Sequence, residues 1–260
     1  MRLLVLTPVY NGQKTLPRCL GGLLSQGLDY YHVFVTNNCV DKSNQIIDAY
    51  LRRHPGKRIS WNYPPDFIER MGDPYSGIAI ARQRLLREAR TLMGSGNTRT
   101  LFLDDDIVFL EPGSFDRLIS QEKQVISGCY MRVFDQKEKP VIAALWLEED
   151  GSWIKIRKPM GLMKPDLVSA GCLLLSREVI LDKRLHFWPI FKPDGEVDVS
   201  EDFGFSLLLK KFGYKIYLDG GALLGHFIRT SVDKPWFKSS KKYVQFRYAA
   251  PSTPVSSQTV

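Results

Sequence analysis

Arg99-Thr-Leu-Phe-Leu-Asp-Asp-Asp-Ile-Val-Phe-Leu-Glu-Pro-Gly113 places three adjacent carboxylates between two apolar runs near the middle of the chain. The run that leads into Asp104 predicts a buried strand, and the second run begins directly after Asp106. Burying three adjacent charges is costly unless a cation meets them. Mg²⁺ and Mn²⁺ prefer oxygen ligands and keep coordination positions for substrate phosphates. The stretch therefore predicts either a metal-binding turn at the end of a strand or a solvated acidic turn.

Strand and helix patterns alternate through the first half of the chain. Residues 2–36 predict a strand, an amphipathic helix and a second strand. Such βαβ units build parallel sheets, in which ligands bind at the carboxyl ends of the strands. Asn11, Asn37 and Asp104 each follow a predicted strand. We therefore expect one crevice to collect them.

The second half of the chain adds antiparallel features. Residues 140–157 alternate and turn at Glu149-Asp-Gly151, which is a hairpin pattern, and residues 167–175 predict one continuous buried strand. A hairpin inserted after βαβ units would make the sheet mixed. The chain thus predicts an α/β fold, a single Rossmann-like domain with a mixed, mostly parallel sheet.

Several polar side chains interrupt apolar patterns. Arg82 breaks the apolar face of a predicted helix, so its guanidinium either meets an anion such as phosphate or snorkels to solvent. Glu201 and Asp202 follow Ser200, a predicted N-cap, where the helix dipole favours acids with or without a functional role. His226 ends an apolar run, a pattern shared by core histidines and metal ligands.

Composition limits the compartment and the partners. The net charge of +8 over 260 residues favours an anionic partner or simply keeps the protein soluble. The four cysteines lack CxxC spacing, which favours a reducing compartment over disulfides or a zinc site. The apolar start at residues 3–6 is too short for a signal peptide or a membrane span. We therefore expect a cytoplasmic protein without a transmembrane segment.

The last residues differ in composition from the rest. Residues 229–247 are basic and aromatic, which suits a lid over an anionic ligand, a nucleic-acid-facing patch or a solvated helix. Residues 249–260 have the composition of a disordered tail. We expect one globular domain over residues 1–228, a basic segment over residues 229–248 and a tail over residues 249–260.

Four motifs in order resemble the nucleotide-sugar glycosyltransferases of the A-type fold, close to family 2. They are Thr7-Pro-Val-Tyr-Asn-Gly12, Leu-Asp-Asp-Asp106, Ser200-Glu-Asp202 opening a helix, and Leu-Leu-Gly-His226. The resemblance covers residues 2 to about 228 and implies a catalytic domain with a Rossmann-like mixed sheet between helices.

The resemblance also implies donor-binding positions. These are Pro8, Tyr10, Asn11, Asn37, Arg82, Asp104 and Asp105. Arg82 would reach the base or the diphosphate, Asp104 would face the ribose, and Asp105 would be structural. The family often has an Asp-Asp pair where this chain has Asn37-Asn38, so the identity of the base stays open.

Metal and acceptor positions follow from the same resemblance. Asp106 would bind the metal in the manner of a DxD motif, and His226 would complete its shell, favouring Mn²⁺ over Mg²⁺ because imidazole is the softer ligand. Asp202 would be the catalytic base, and Glu201 would orient the acceptor or hold the loop. The positions implied to contact acceptor or donor sugar are Ala170, Gly171 and Trp188.

The implied reaction is metal-dependent transfer of a sugar from a nucleoside-diphosphate sugar to an acceptor hydroxyl, with a glycan as the expected acceptor and with inversion of the anomeric centre. A metal stabilises the leaving diphosphate, and a carboxylate takes the proton of the attacking hydroxyl. One alternative is a glycosyltransferase acting on a modified nucleic-acid base. Others are a nucleotidyltransferase, disfavoured because residues 7–12 lack a Gly-rich basic loop, and a noncatalytic sugar- or nucleic-acid-binding module.

Overall fold

The protein is described by a computed structural model over most of its length. The described residues are 2–64, 75–93, 97–132, 141–143, 145–149, 152–155, 161–194 and 197–227. The basic segment and the tail expected after residue 228 lie outside them.

Helices and strands alternate through the first half of the chain, as the sequence predicts. The helices are α1 Leu16–Leu24, α2 Ser43–Leu51, α3 Tyr75–Leu92, α4 Ser114–Ser120, α5 Arg177–Leu181 and α6 Glu201–Lys211. The strands are β1 Arg2–Val9, β2 Tyr30–Thr36, β3 Gly56–Ser60, β4 Asn97–Leu103, β5 Ile107–Phe109, β6 Val125–Arg132, β7 Val141–Ala143, β8 Leu145–Glu149, β9 Ser152–Lys155, β10 Leu162–Met163, β11 Leu167–Val168, β12 Cys172–Ser176, β13 Ile190–Phe191, β14 Val197–Val199 and β15 Ile216–His226.

Ten of the described strands form one sheet. Its hydrogen-bonded path is β10-β15-β6-β12-β4-β1-β2-β3, with β5 beside β15 and β7 beside β6. Strands β3, β2, β1 and β4 are parallel to one another, and β6 is parallel to β15. Strand β12 runs antiparallel to both β4 and β6. The fold is therefore α/β with a mixed, mostly parallel sheet, which confirms the prediction.

The sheet separates two apolar cores because successive side chains of a strand point to opposite faces. Leu3 and Val5 of β1 pack into the core that α1, α2 and α4 cover. Leu4 and Leu6 pack into the core that α3, α5 and α6 cover. Helices on both faces leave the strand ends as the accessible part of the sheet, and this is where the acidic turn lies.

The predicted hairpin is present, but it does not enter the main sheet. Strands β8 and β9 pair antiparallel and join β11 in a separate three-stranded sheet. The beginning of β6 already pairs with β12 on one side and β15 on the other, so it has no free edge to accept a hairpin. The mixed character of the main sheet comes instead from β12 and the short antiparallel strands.

One further strand differs from the prediction, and another is irregular. The single strand expected over residues 167–175 is divided into β11, which pairs with β8, and β12, which pairs with β4 and β6. Residues 216–226 form one strand with an irregularity after Asp219, whose buried carboxylate accepts from Arg117 at 2.9 Å and from the Gly221 amide at 2.8 Å. Such a bulge bends the strand.

Two absences can be stated for the described part of the chain. None of its helices is long and apolar enough to cross a membrane. The four cysteines are all free thiols, and three of them are buried.

Candidate active site

The candidate site lies where the order of parallel strands reverses. From β1 the sheet proceeds in one direction to β2 and β3 and in the other to β4, and such a reversal opens a crevice at the carboxyl ends of the strands. The turn of Asp104, Asp105 and Asp106 begins directly after β4. The Asp104 amide donates to the Gly171 carbonyl at 2.9 Å, which joins this turn to the segment before β12.

Arg82 of α3 links two carboxylates at the crevice. Its Nη2 lies 2.8 Å and 2.7 Å from the two carboxylate oxygens of Asp104. Its Nη1 donates to Oε1 of Glu201, the first residue of α6. The side chains of Arg82 and Glu201 are each 3% exposed and that of Asp104 is 18% exposed. A buried cationic centre thus joins the acidic turn to the helix that carries Asp202.

The charges in this cluster do not balance, since one guanidinium faces two carboxylates. Burial raises the pKa of Glu201, the charge of Arg82 opposes that rise, and the charge of Asp202 adds to it. Burial also raises the pKa of Asp104, again against the opposing charge of Arg82. Burial alone would lower the pKa of Arg82, but Asp104 and Glu201 outweigh it and the pKa is raised. Arg82 is therefore a permanent cation.

Asp106 and His226 lie side by side. Strand β15 pairs with β5 so that His226 is opposite Ile107, and the Phe227 amide donates to the Asp106 carbonyl at 2.9 Å. Nε2 of His226 is 3.4 Å from Oδ2 of Asp106, and the two side chains are 27% and 20% exposed. The sequence alone implied this pair only through the resemblance.

The pair offers one carboxylate and one imidazole to a metal. No group of three or more metal-binding side chains is present among the described residues. Two protein ligands suit a hard cation that fills its other positions with water and substrate phosphates. The partial exposure of both side chains leaves room for such ligands. The donor set therefore fits a divalent metal bound together with a diphosphate, not a closed structural site.

Asp105 is buried and lies against Gly12. A methyl group placed on Gly12 would lie 2.0 Å from Oδ2 of Asp105, so this carboxylate fills the space beside the loop between β1 and α1. Only glycine at that position allows such close approach. Asp105 thus packs the acidic turn against the loop that carries Asn11.

Asp202 lies in the first turn of α6. Ser200 occupies the N-cap position, as the sequence predicts, but its hydroxyl makes no hydrogen bond to the helix backbone. It donates instead to Oδ1 of Asp202 at 2.5 Å, and the Phe203 amide donates to the same oxygen at 2.9 Å. These two donors fix the orientation of a partly exposed carboxylate.

The predicted base-binding residues lie at the ends of β1 and β2. Pro8 is buried within β1, whereas Tyr10 is exposed. Asn11 adopts a positive φ of 50°, and its Oδ1 accepts from the Val40 amide at 2.9 Å. Asn37 is buried, and its Nδ2 donates to the Tyr63 hydroxyl at 3.1 Å. An amide beside an exposed aromatic ring is suited to hydrogen bonding and stacking with a base.

The predicted sugar-contacting residues come from two places. Ala170 and Gly171 are buried beside the acidic turn, and a Cβ on Gly171 would be 3.3 Å from Oδ2 of Asp104. The Trp188 side chain is exposed, and its carbonyl would lie 2.7 Å from a Cβ on Gly204 of α6. The loop of Trp188 is therefore seated on the helix that carries Asp202.

Two aromatic residues of the site were missed by sequence reasoning. Tyr63 holds Asn37, and burial raises the pKa of the Tyr63 hydroxyl. Tyr130 of β6 is buried with its ring centroid 6.2 Å from that of His226, and a Cβ on Gly171 would be 3.4 Å from its hydroxyl. Both stand in or next to apolar strand patterns, where an aromatic residue is indistinguishable from core.

Comparison with known proteins agrees with this geometry. The family described as glycosyl transferase family 2 matches residues 4–180. Comparison with curated protein sequences returns no match.

Solved structures with a similar fold include those of S. aureus TarS. TarS 1-349 in complex with UDP-GlcNAc has a TM-score of 0.60 at 16% identity, covering 88% of this chain and 59% of that chain. A second structure of TarS 1-349 has a TM-score of 0.58 at 15% identity, covering 87% of this chain and 60% of that chain. S. aureus TarS has a TM-score of 0.58 at 14% identity, covering 88% and 37%. This chain thus spans about three fifths of the shorter TarS chain, and the likeness concerns the fold alone.

Proposed function

Because the chain belongs to glycosyl transferase family 2, we propose that it transfers a sugar from a nucleoside-diphosphate sugar to an acceptor hydroxyl. The observation that carries this proposal is the meeting of the acidic turn, His226 and the first turn of α6 at one crevice. Membership of this family argues against nucleotidyl transfer. An oriented, partly exposed carboxylate at Asp202 argues against a module that only binds sugar.

The donor is proposed to be a uridine-diphosphate sugar. TarS, which shares the fold, has been crystallised with UDP-GlcNAc, so this nucleotide sugar is the first donor to test. Tyr10, Asn11 and Asn37 would contact the base at the ends of β1 and β2. Asp104 would face the ribose, its carboxylate fixed by Arg82.

Asp106 and His226 would hold a divalent metal together with the diphosphate. When bound, the metal would neutralise charge that develops on the leaving diphosphate oxygen. The imidazole favours Mn²⁺, although Mg²⁺ also accepts the carboxylate. This part of the proposal is supported by the 3.4 Å separation and partial exposure of the two side chains.

Asp202 would take the proton of the acceptor hydroxyl. An alcohol is a weak nucleophile at neutral pH, and a carboxylate within about 3 Å removes its proton as it attacks. The oxygen Oδ1 of Asp202 already accepts two hydrogen bonds, from Ser200 and from the Phe203 amide, which leaves Oδ2 for the acceptor. Attack in line with the leaving group would invert the anomeric centre.

The acceptor is proposed to be a glycan hydroxyl. The exposed Trp188 ring, on a loop seated against α6, is suited to stacking on a sugar close to Asp202. Ala170 and Gly171 lie beside Asp104 and would face the donor sugar. The free thiols support the proposal that the reaction takes place in the reducing cytoplasm.

A donor screen tests this function. The full chain would be incubated with UDP-GlcNAc and other nucleoside-diphosphate sugars, with Mn²⁺, Mg²⁺ or a chelator, and release of nucleoside diphosphate would be measured. Metal-dependent release that the Asp202→Asn variant lacks is the expected result. Absence of both release and UDP binding under every condition would refute the proposed function. An acceptor that is bound with a steep salt dependence would point to nucleic acid instead of a glycan.

A further inference from the structure

In the reaction outlined above, Arg82 serves only to fix Asp104. Its guanidinium lies between three elements: α3, which carries it, the turn after β4, and the start of α6. Asp104 belongs to the proposed donor site, and Glu201 is the direct neighbour of the proposed base. Within the described part of the chain, this is the cation that touches both sides of the crevice through hydrogen bonds.

The contacts of Arg82 leave its two terminal nitrogens engaged by protein. Nη2 lies against both oxygens of Asp104, and Nη1 bonds to Glu201. Nε of Arg82 is buried as well. Nε has no hydrogen-bond partner in the described part of the chain, but the Arg82 side chain is only 3% exposed, so a donor phosphate would have to displace Asp104 or Glu201 to reach the guanidinium.

Because Glu201 lies on α6 next to Asp202, the contact between Arg82 and Glu201 also controls the position of Asp202. Glu201 and Asp202 are consecutive residues in the first helical turn, so Asp202 cannot move independently of Glu201. Arg82 ties Glu201 to Asp104, and Asp104 is itself fixed by its amide hydrogen bond to Gly171. The contacts of the Arg82 guanidinium therefore set the distance between Asp104, on the donor side, and Asp202, the proposed base.

We propose that Arg82 is a positioning residue that holds Asp202 in register with the donor site through Glu201, without contacting the donor. This inference rests on the proposed function. It replaces the direct contact to base or diphosphate that the family resemblance implies. Displacement of a reacting group by about 1 Å can cost about 10²-fold in rate. Loss of the contacts from Arg82 to Asp104 and Glu201 should therefore affect turnover more than donor affinity.

The test compares single and double variants with a matched control. Arg82→Lys keeps the charge but cannot form the two-armed contact. Glu201→Gln keeps a hydrogen-bond acceptor for Arg82 but removes the charge. Arg90→Lys is the control, because Arg90 also lies on α3 and its guanidinium donates to the main-chain carbonyls of Ile180, Asp182 and Leu185, away from the site. Turnover, the dissociation constant for UDP with Mn²⁺, and thermal unfolding would be measured for each.

A positioning role predicts three results. Arg82→Lys and Glu201→Gln should each lower turnover by about 10- to 100-fold and should weaken UDP binding by a much smaller factor. The double variant should be no slower than the slower single variant, because both act on one contact. Arg90→Lys should change thermal unfolding without changing turnover at temperatures where it is folded.

Other outcomes overturn the inference. Weaker UDP binding in Arg82→Lys with unchanged turnover would make Arg82 a donor ligand. Multiplying losses in the double variant would show that Arg82 and Glu201 act separately. Wild-type protein that neither binds UDP nor releases it from any donor would refute the proposed function together with this role. An active wild type combined with multiplying losses of turnover in the double variant would refute the positioning role alone.

Discussion

Nε2 of His226 lies 3.4 Å from Oδ2 of Asp106, although the two residues are far apart in sequence. The antiparallel pairing of β15 with β5 brings them together, and the irregularity of β15 after Asp219 precedes this pairing. The backbone contact from Phe227 to Asp106 fixes the same junction. The candidate metal site therefore depends on the sheet and not on a flexible loop.

Removal of either member of this pair should abolish the metal dependence of donor binding. Asp106→Ala and His226→Ala each take away one of the two proposed protein ligands, so UDP binding in the presence of Mn²⁺ should weaken by about 10²-fold or more. Calorimetric titration of UDP with and without Mn²⁺ measures this. Asp116→Ala, which removes an exposed carboxylate of α4, is the control and should bind UDP as the wild type does. Unchanged Mn²⁺-dependent binding in both site variants would exclude a metal at this pair.

Replacement of the proposed base should separate chemistry from binding. Asp202→Asn keeps the shape and the hydrogen bond from Ser200 but cannot take a proton, so turnover should fall by about 10²-fold or more with UDP affinity retained. Steady-state turnover and UDP titration on the same preparation measure both effects. Asp198→Asn, which alters an exposed carboxylate on β14, should retain wild-type turnover. Wild-type turnover in Asp202→Asn would assign the base role to another group.

The helices and strands of the first part of the chain were predicted from the spacing of their apolar residues. The helix from Leu16 and the strands that begin the chain lie where the apolar spacing placed them. Leu24, the last residue of α1, is 40% exposed, whereas Leu16, Leu20 and Leu23 of the same helix are buried. The division of residues 167–175 into β11 and β12 was not predictable, since an unbroken apolar run does not show where a chain leaves one sheet for another.

The candidate site shows the same limit. The acidic turn could be placed at a strand end, because local sequence marks both the strand and its carboxylates. The partner of Arg82 could not be identified, since the pattern of α3 indicates only that a cation interrupts an apolar face. Pairing of Arg82 with Glu201 depends on how α3 and α6 pack, which is a tertiary property.

A buried histidine outside the site should make the protein sensitive to acid. His32 stacks on Phe34 with ring centroids 3.8 Å apart, and its Nε2 is 2.8 Å from the Thr7 hydroxyl. Burial lowers the pKa of His32 to about 3 from an ordinary value of 6.5, and the nearby His54 charge adds to this. The unfolded chain therefore binds the proton more readily, so stability should fall as pH drops below about 6.5, by up to about 1.4 kcal/mol per pH unit.

Urea unfolding at pH 7 and pH 5 measures this effect. His32→Gln should be less stable than the wild type at pH 7, because it loses the ring stacking, but it should lose less stability on acidification. His186→Gln removes an exposed histidine and should keep the wild-type dependence on pH. An equal loss in His32→Gln and the wild type would show that another group causes the acid sensitivity.

One added methyl group on α1 should have opposite effects at two neighbouring glycines. A Cβ on Gly21 would meet nothing within 4 Å, whereas one on Gly22 would lie 2.9 Å from Cγ1 of Val108 and 3.1 Å from the amide nitrogen of Phe109. Alanine favours a helix over glycine by about 1 kcal/mol, so Gly21→Ala should raise the free energy of unfolding by about that amount. Gly22→Ala should lower it by about 1–3 kcal/mol, because β5 must move away from the helix. Urea unfolding of the two variants measures the difference, and equal stability would mean that α1 does not pack against β5 as closely as described.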